Sequence, residues 1–299
     1  MARLPALSVI GVPTKRQALL EVAAEADRRG FAGLASPGIH GNLALCGSLA
    51  HVTSTIPFWT SIQPIYHSHP AEVAVTAGHL HEISGGRFRL GLGVSHAPAM
   101  SRLGLATGRP LHDMREYVAG MRAAERSSGA LPPIWLATLR DRMLDLAVEI
   151  ADGAVWANAA HSHVGTQLAR IPAERRGALA FANMVPTVID ADVEAARAVH
   201  RRTLTGYVVL PNYRNYWKAA GYEAEMRAIE DAIERGDRDA LPSLMTDQWV
   251  DDCTISGDGD HVRARLDAWY DAGVVPIAVM SSTSGGQLVA IRQLFDLYA

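Results

Sequence analysis

Apolar positions along this chain follow two alternating rhythms. Short runs dense in apolar residues are each followed by a stretch with apolar residues at helical spacing. Ala6–Val12 reads as a strand, and Lys15–Arg29 then places Leu19, Val22, Ala23 and Ala26 on one helical face before stopping at Gly30. Phe31–Ala35 is a second strand, ending in Ser36-Pro37-Gly38, and Asn42–Ser54 is helical. Ile56–Ile65 is a third strand. Pro70–Ile83 is a helix that opens on proline, whose missing N–H is no loss at that position, and closes at Gly85 or Gly86. Arg87–Val94, Ile134–Ala137, Ala154–Asn158, Ala178–Ile189 and Val274–Met280 read as further strands. Helices are predicted at Leu111–Arg126, Arg140–Ala151, Val164–Ile171 and Gln287–Tyr298. The segment Asp192–Ala240 is mainly helical and broken at Gly206, Pro211 and Gly221.

Eight strands separated by helices predict an α/β fold, a single (β/α)8 TIM barrel of about 250 residues. The 299 residues leave room for one helical insertion, about Asp192–Asp258, expected over the barrel mouth before the last strand. A two-domain dinucleotide-binding arrangement needs G-x-G-x-x-G after a strand. Gly91-x-Gly93 follows a strand, but His96 stands where the third glycine belongs, which favours the barrel.

Composition narrows the function classes without naming one. Hydrophobic residues make up 48% and charged residues 20%, with a net charge of −3, so neither a nucleic-acid-binding stripe nor an acidic tail is expected. Lysine occurs only at Lys15 and Lys218. The arginine bias and alanine richness resemble GC-rich codon usage more than a phosphate-binding surface. Cys46 and Cys253 are too far apart for a C-x-x-C, which fits a reducing cytoplasm without disulfides or zinc. Pro5 and Pro13 interrupt the opening apolar run, so it reads as a strand and not a signal peptide, and no run reaches a membrane span.

In a barrel of this type the chemistry sits just past each strand. That rule selects Ser36–His40, Ser61–His69, Val94–Met100, Thr138–Arg140, Asn158–His163 and Thr187. Histidines are concentrated there: His40, His67, His69, His96, His161 and His163. His67-x-His69 and His161-x-His163 have the spacing of ligand pairs. Few carboxylates or cysteines accompany them, so no metal is expected. There is no G-x-S-x-G elbow and no Walker loop.

Two segments carry a resemblance. One is Ser84-Gly85-Gly86-Arg87-Phe88 followed by Leu90-Gly91-Leu92-Gly93. The other is Pro133-Ile134, Leu136-Ala137 and, after a helix, Ala151-Asp152-Gly153. With Pro70-Ala71, they resemble the luciferase-like flavin and deazaflavin oxidoreductases over about residues 8–185. The physics of these positions is compatible: Gly91 and Gly93 allow close backbone packing or approach of a ligand. Thr138-Leu139-Arg140 opens a helix, where backbone N–H groups and an arginine fork suit a phosphate. Arg87 reads as a structural ion-pair partner, and Asp152 as the support of its own turn.

The resemblance implies coenzyme F420, with FMN as the alternative cofactor. It also implies a non-proline cis peptide behind the cofactor ring, expected at Ser61–Ile62. Ser61, Ile62, Gln63, Val94, Ser95, His96, Ala137, Thr138, Leu139, Arg140 and Asn158 are the expected cofactor-binding residues. His40 is the first candidate proton donor or acceptor and His96 the second. Members that oxidise alcohols often carry Asp-His after strand two; this chain has Pro37-Gly38, which shifts the expectation toward reduction of an enone, imine, quinone or nitro compound. An FMN-dependent monooxygenase and a non-catalytic flavin-binding barrel are the alternatives. A small-molecule substrate and a homodimer are expected. Trp59, Trp135 and Trp156 read as core, with a pocket wall as the other reading. The cluster Tyr207, Tyr213, Tyr216, Trp217 and Tyr222 matches no motif.

Overall fold

A computed structural model describes residues 3–299. Its strands are β1 (Ala6–Ser8), β2 (Gly33–Ser36), β3 (Phe58–Thr60), β4 (Gln63–Pro64), β5 (Phe88–Gly93), β6 (Ile134–Ala137), β7 (Gly153–Ala157), β8 (Ala180–Ile189), β9 (Ile255–Gly257) and β10 (Val275–Ser281). The order is β10-β1-β2-β3-β5-β6-β7-β8, and β10 also pairs with β8, so the sheet returns to its first strand. The registered pairs are parallel, as Leu34↔Phe58 and Gly91↔Trp135 show. This is the expected (β/α)8 TIM barrel.

Several elements differ from the sequence reading. The third strand is not continuous: it divides into β3 and β4 around Ser61–Ile62, and β4 pairs with the end of β5 at Gln63↔Leu92. A short strand also lies inside the segment read as helical insertion. β9 runs parallel to β8 through Thr187↔Ile255. Within that segment the helix Val193–Val208 passes straight through Gly206. Pro211 starts the helix Pro211–Ala219, and Gly221, at φ 104°, separates it from Glu223–Glu234. A glycine in mid-helix costs only about 1 kcal/mol, which packing overrides. Among the described residues no helix is long and apolar enough to cross a membrane.

The chain forms two compact units. The first runs through Trp156 and includes Ile171–Ala182. Phe58 and Phe88, side by side in register, stack with ring centroids 5.6 Å apart. Trp59 and Trp135 pack at 5.1 Å, and a Cβ on Gly33 would lie 2.1 Å from the Trp59 ring. With Trp156 also fully buried, all three indoles are core. Asp152 does support its turn: its N–H donates to Ile134 O, and its carboxylate accepts from Ile134 N, both at 2.8 Å. Arg87 is structural, and its hydrogen bonds go to carbonyls and a hydroxyl, with the Asp27 carboxylate acting on it through charge. Its guanidinium donates to Ala50 O, Thr53 O, Ile56 O and Thr53 Oγ1 and lies 5.3 Å from the Phe58 ring centroid. It thereby satisfies the open carbonyls at the end of the helix Asn42–Val52.

The second unit comprises Ala157–Arg170 and Asn183–Ala299. Its aromatic cluster is a helical core. Tyr207 meets Tyr213 at 5.0 Å, Tyr213 meets Trp217 at 5.3 Å, and Trp217 meets Trp249 edge-on at 4.8 Å. Tyr222 stands outside this chain of rings and donates to Asp252 at 2.8 Å. His200 is fully buried, its Nε2 3.0 Å from Ile255 O.

Burial holds the His200 imidazole down at about 4, against 6.5 for an ordinary histidine. The unfolded chain therefore binds this proton first as pH falls. The linked stability is complete above about pH 6.5 and drains away toward pH 4, by up to about 3 kcal/mol. Urea unfolding from pH 7 to pH 4 measures this loss. His200→Gln should flatten the profile in that window, and an unchanged slope in the variant would contradict the assignment.

Candidate active site

The site is built from the backbone outward. At the end of β3 the Thr60 hydroxyl donates to Gly91 O at 2.7 Å, and Ser61 N–H donates to Ser36 O at 2.7 Å. The Ser61–Ile62 peptide is cis, as expected. Three glycines surround this segment. A Cβ on Gly91 would lie 2.0 Å from Thr60 O, and one on Gly93 2.6 Å from the Ile62 side chain and 3.0 Å from the Ala137 Cβ. One on Gly38 would lie 2.5 Å from Ile62 O. Gly91 and Gly93 are thus both sites of close packing within the protein. Asn42, the first residue of its helix, reaches Ile62 O through its side-chain amide at 3.4 Å. Sequence reasoning missed that contact, since an asparagine at a helix start signals only a cap.

Around this centre the first unit brings together Ser61, Ile62, Gln63, Val94 and Ala137, on the ends of β3 to β6. Ser61 and Gln63 are buried; Ile62, Val94 and Ala137 are half-buried. Ser95 turns the chain at φ 59°, and half-buried His96 precedes the short helix Ala97–Arg102. Burial lowers the His96 pKa, so the imidazole is neutral near pH 7. His40, also left-handed at φ 54°, is exposed two residues beyond Gly38.

At the end of β6, Thr138 N–H donates to Val155 O. Thr138 is only 4% exposed, yet its hydroxyl has no hydrogen-bond partner. Half-buried Leu139 and exposed Arg140 follow. The helix begins at Asp141, one residue later than expected, and runs to Ile150 with no side-chain cap.

Asn158 lies in the second unit. It is buried at φ 57°; its N–H donates to Met184 O, and its carbonyl accepts from Trp217 Nε1 at 3.1 Å. The remaining histidines have separate tasks. His69 Nδ1 accepts from Ala71 N and caps the helix Pro70–Ile83. His161 lies 3.2 Å from Ala268 O and edge-on to Trp269. His163 meets Tyr216 edge-on. His67 is exposed. Among the described residues, no three His, Cys, Asp or Glu side chains converge as a metal-holding group.

The sequence matches the profile of the luciferase-like monooxygenases across residues 10–275. The chain belongs to that family. This luciferase-like chain is 28% identical over 267 residues to the 5,10-methylenetetrahydromethanopterin reductase of Archaeoglobus fulgidus, covering 78% of this chain and 79% of that one. Its fold is similar to that of the coenzyme F420-dependent tetrahydromethanopterin reductase from Methanopyrus kandleri. The TM-score is 0.75 at 18% identity, over 98% of this chain and 97% of that one. It is also similar to the oxygenating constituent of 3,6-diketocamphane monooxygenase from Pseudomonas putida, solved with FMN. There the TM-score is 0.63 at 17% identity, over 100% of this chain and 96% of that one. The luciferase-like chain is an oxidoreductase.

The packing at Gly91 is directly testable. Gly91→Ala forces a methyl against a backbone oxygen and should cost about 3 kcal/mol. Gly165, in a helix with nothing near its would-be Cβ, should instead gain up to about 1 kcal/mol on change to alanine. Chemical denaturation of both variants checks this pair, and equal effects would count against the contact.

Proposed function

We propose that the chain is an F420-dependent oxidoreductase that reduces a small organic substrate. The observation that carries this reading is the backbone seat at Thr60–Gln63, packed on Gly91 and Gly93 beside Ile62 and Ala137. It offers a mostly apolar surface for a flat ring system. The orphaned Thr138 hydroxyl fits the same group, because a buried polar atom without a partner calls for one. It stands before an uncapped helix start with Arg140 beside it, a combination suited to a phosphate. The reductase name of the Archaeoglobus fulgidus relative supports the reductive direction.

When bound, F420 supplies two-electron hydride transfer at C5. The protein's residues do the rest. Ser61–Gln63 orient the ring, and the Thr138 hydroxyl and Arg140 guanidinium hold a phosphate. His96 exchanges a proton with the substrate atom that changes charge. We place this role on His96 ahead of His40, because His96 is half-buried three residues beyond the Gly93 contact with Ile62, while His40 stands in solvent. The Gly38 corner supports reduction over alcohol oxidation: it carries no acid–base side chain, and Ile62 O leaves no room for one. A polarised C=C, C=N, quinone or nitro group is the substrate class that fits.

FMN-dependent monooxygenation is the second reading, since the Pseudomonas putida protein with FMN shares the fold. Absorption spectra of the purified protein after incubation with each cofactor separate the two. A tight F420 complex is expected, and exclusive binding of FMN would overturn the proposal. Thr138→Val and Arg140→Ala should each weaken F420 binding about tenfold, the worth of one hydrogen bond to a charged group. Titration by fluorescence quenching measures this.

His96→Ala should lower the turnover rate by about 10²–10⁴. Hydride addition leaves a negative charge that His96 must protonate, so the imidazolium is the active form. In the wild type the rate should rise as pH falls through 6.5 and level off only below it, because burial lowers the imidazole's pKa. A rate profile centred at or above 6.5 would assign the proton to another group.

A further inference from the structure

The loop from β5 to the helix Pro110–Ala123 spans residues 94–109 and carries His96. Met100 buries part of it, while Leu103 stands 62% exposed. Its first end is fixed where Gly93 packs on Ile62. Its last end is held by the side chains of Tyr66 and Asp113. Gly108 N–H donates to the Tyr66 hydroxyl at 3.3 Å, and that hydroxyl donates to Asp113 Oδ2 at 2.8 Å. Gly108 rests directly on the carboxylate, since a Cβ there would lie 2.3 Å from Asp113 Oδ2. Burial and the neighbouring Asp113 raise the Tyr66 pKa, so its proton stays available for donation.

Tyr66 belongs to the turn Ile65–His67, directly after β4. The Tyr117 hydroxyl adds a second tie to the same stretch, donating to Ser68 O at 3.0 Å. Both ends of the His96 loop are therefore anchored to residues 62–68, the continuation of the segment that forms the ring seat. We propose that Tyr66 is a positioning residue: its hydroxyl latches the loop 94–109 through Gly108 and Asp113, and so sets where His96 stands relative to the seat. The positioning role rests on the functional reading above; the latch itself rests on the contacts alone.

Phenylalanine at position 66 fills nearly the same volume and removes only the bridging oxygen. It leaves Gly108 N–H and the Asp113 carboxylate without that partner. Asparagine at position 113 keeps an oxygen that accepts from Tyr66, so it serves as the conservative control.

The test uses the full-length chain and two readouts. The first is amide hydrogen exchange across residues 95–108 without cofactor; the second is the dissociation rate of F420. Tyr66→Phe should speed exchange in this segment about tenfold, leave exchange in β1 and β2 unchanged, and speed F420 release about tenfold, each equivalent to about 1.4 kcal/mol. Asp113→Asn should stay within about twofold of wild type in both. Unchanged exchange in Tyr66→Phe overturns the latch. Faster exchange with unchanged F420 release overturns the positioning role. Wild-type protein that binds no F420 overturns the functional reading, and the positioning role with it, while the exchange experiment still decides the latch.

Discussion

The structure turns on contact between bare backbones at the end of the third strand. Thr60 O and Ile62 O lie so close to Gly91 and Gly38 that one additional carbon at either glycine would overlap them. Side chains normally keep strands and their loops apart by their own volume. Here that spacing is removed at three places around one segment, and hydrogen bonds from Thr60, Ser61 and Asn42 hold it in place. The division of the strand into β3 and β4, the course of the β2 corner and the placement of Ala137 all follow from that packing. Interiors this dense do not yield continuously, so local fit sets the geometry of everything attached.

Much of this was legible in the sequence because it depends on short-range rules. Strand rhythms at all eight barrel positions need only periodicity and glycine stops. Asp152 could be read as a turn support because its partner, Ile134, is fixed by the neighbouring strand's register. The cis bond at Ser61–Ile62 was legible only through resemblance, since nothing in the local residue types demands it. β9 was illegible for the opposite reason: three residues carry too little pattern to stand out from helical surroundings, and only pairing with β8 defines them.

The histidines show where residue type misleads. Six of them fall after barrel strands, where the chemistry of such a barrel sits. In the structure His69 caps a helix and His161 and His163 pack on aromatic rings, each a local duty that an imidazole performs well. Arg87 is similar: an arginine beside a glycine turn reads as half of an ion pair, whereas its fork collects carbonyls from a helix end. Such partners come from distant segments, and no spacing rule encodes them. The tyrosines and tryptophans that matched no motif prove to be ordinary core for the second unit, with Trp217 also binding the Asn158 carbonyl.

The Gly38 corner bears on how readily this protein could acquire a different activity. Placing a carboxylate or imidazole there would require the Ile62 carbonyl to move, and that carbonyl is also held by Asn42. A substitution at Gly38 displaces this carbonyl, so a change of chemistry through that position demands coordinated replacements around it. The same atoms that shape this packing therefore form a barrier in sequence space.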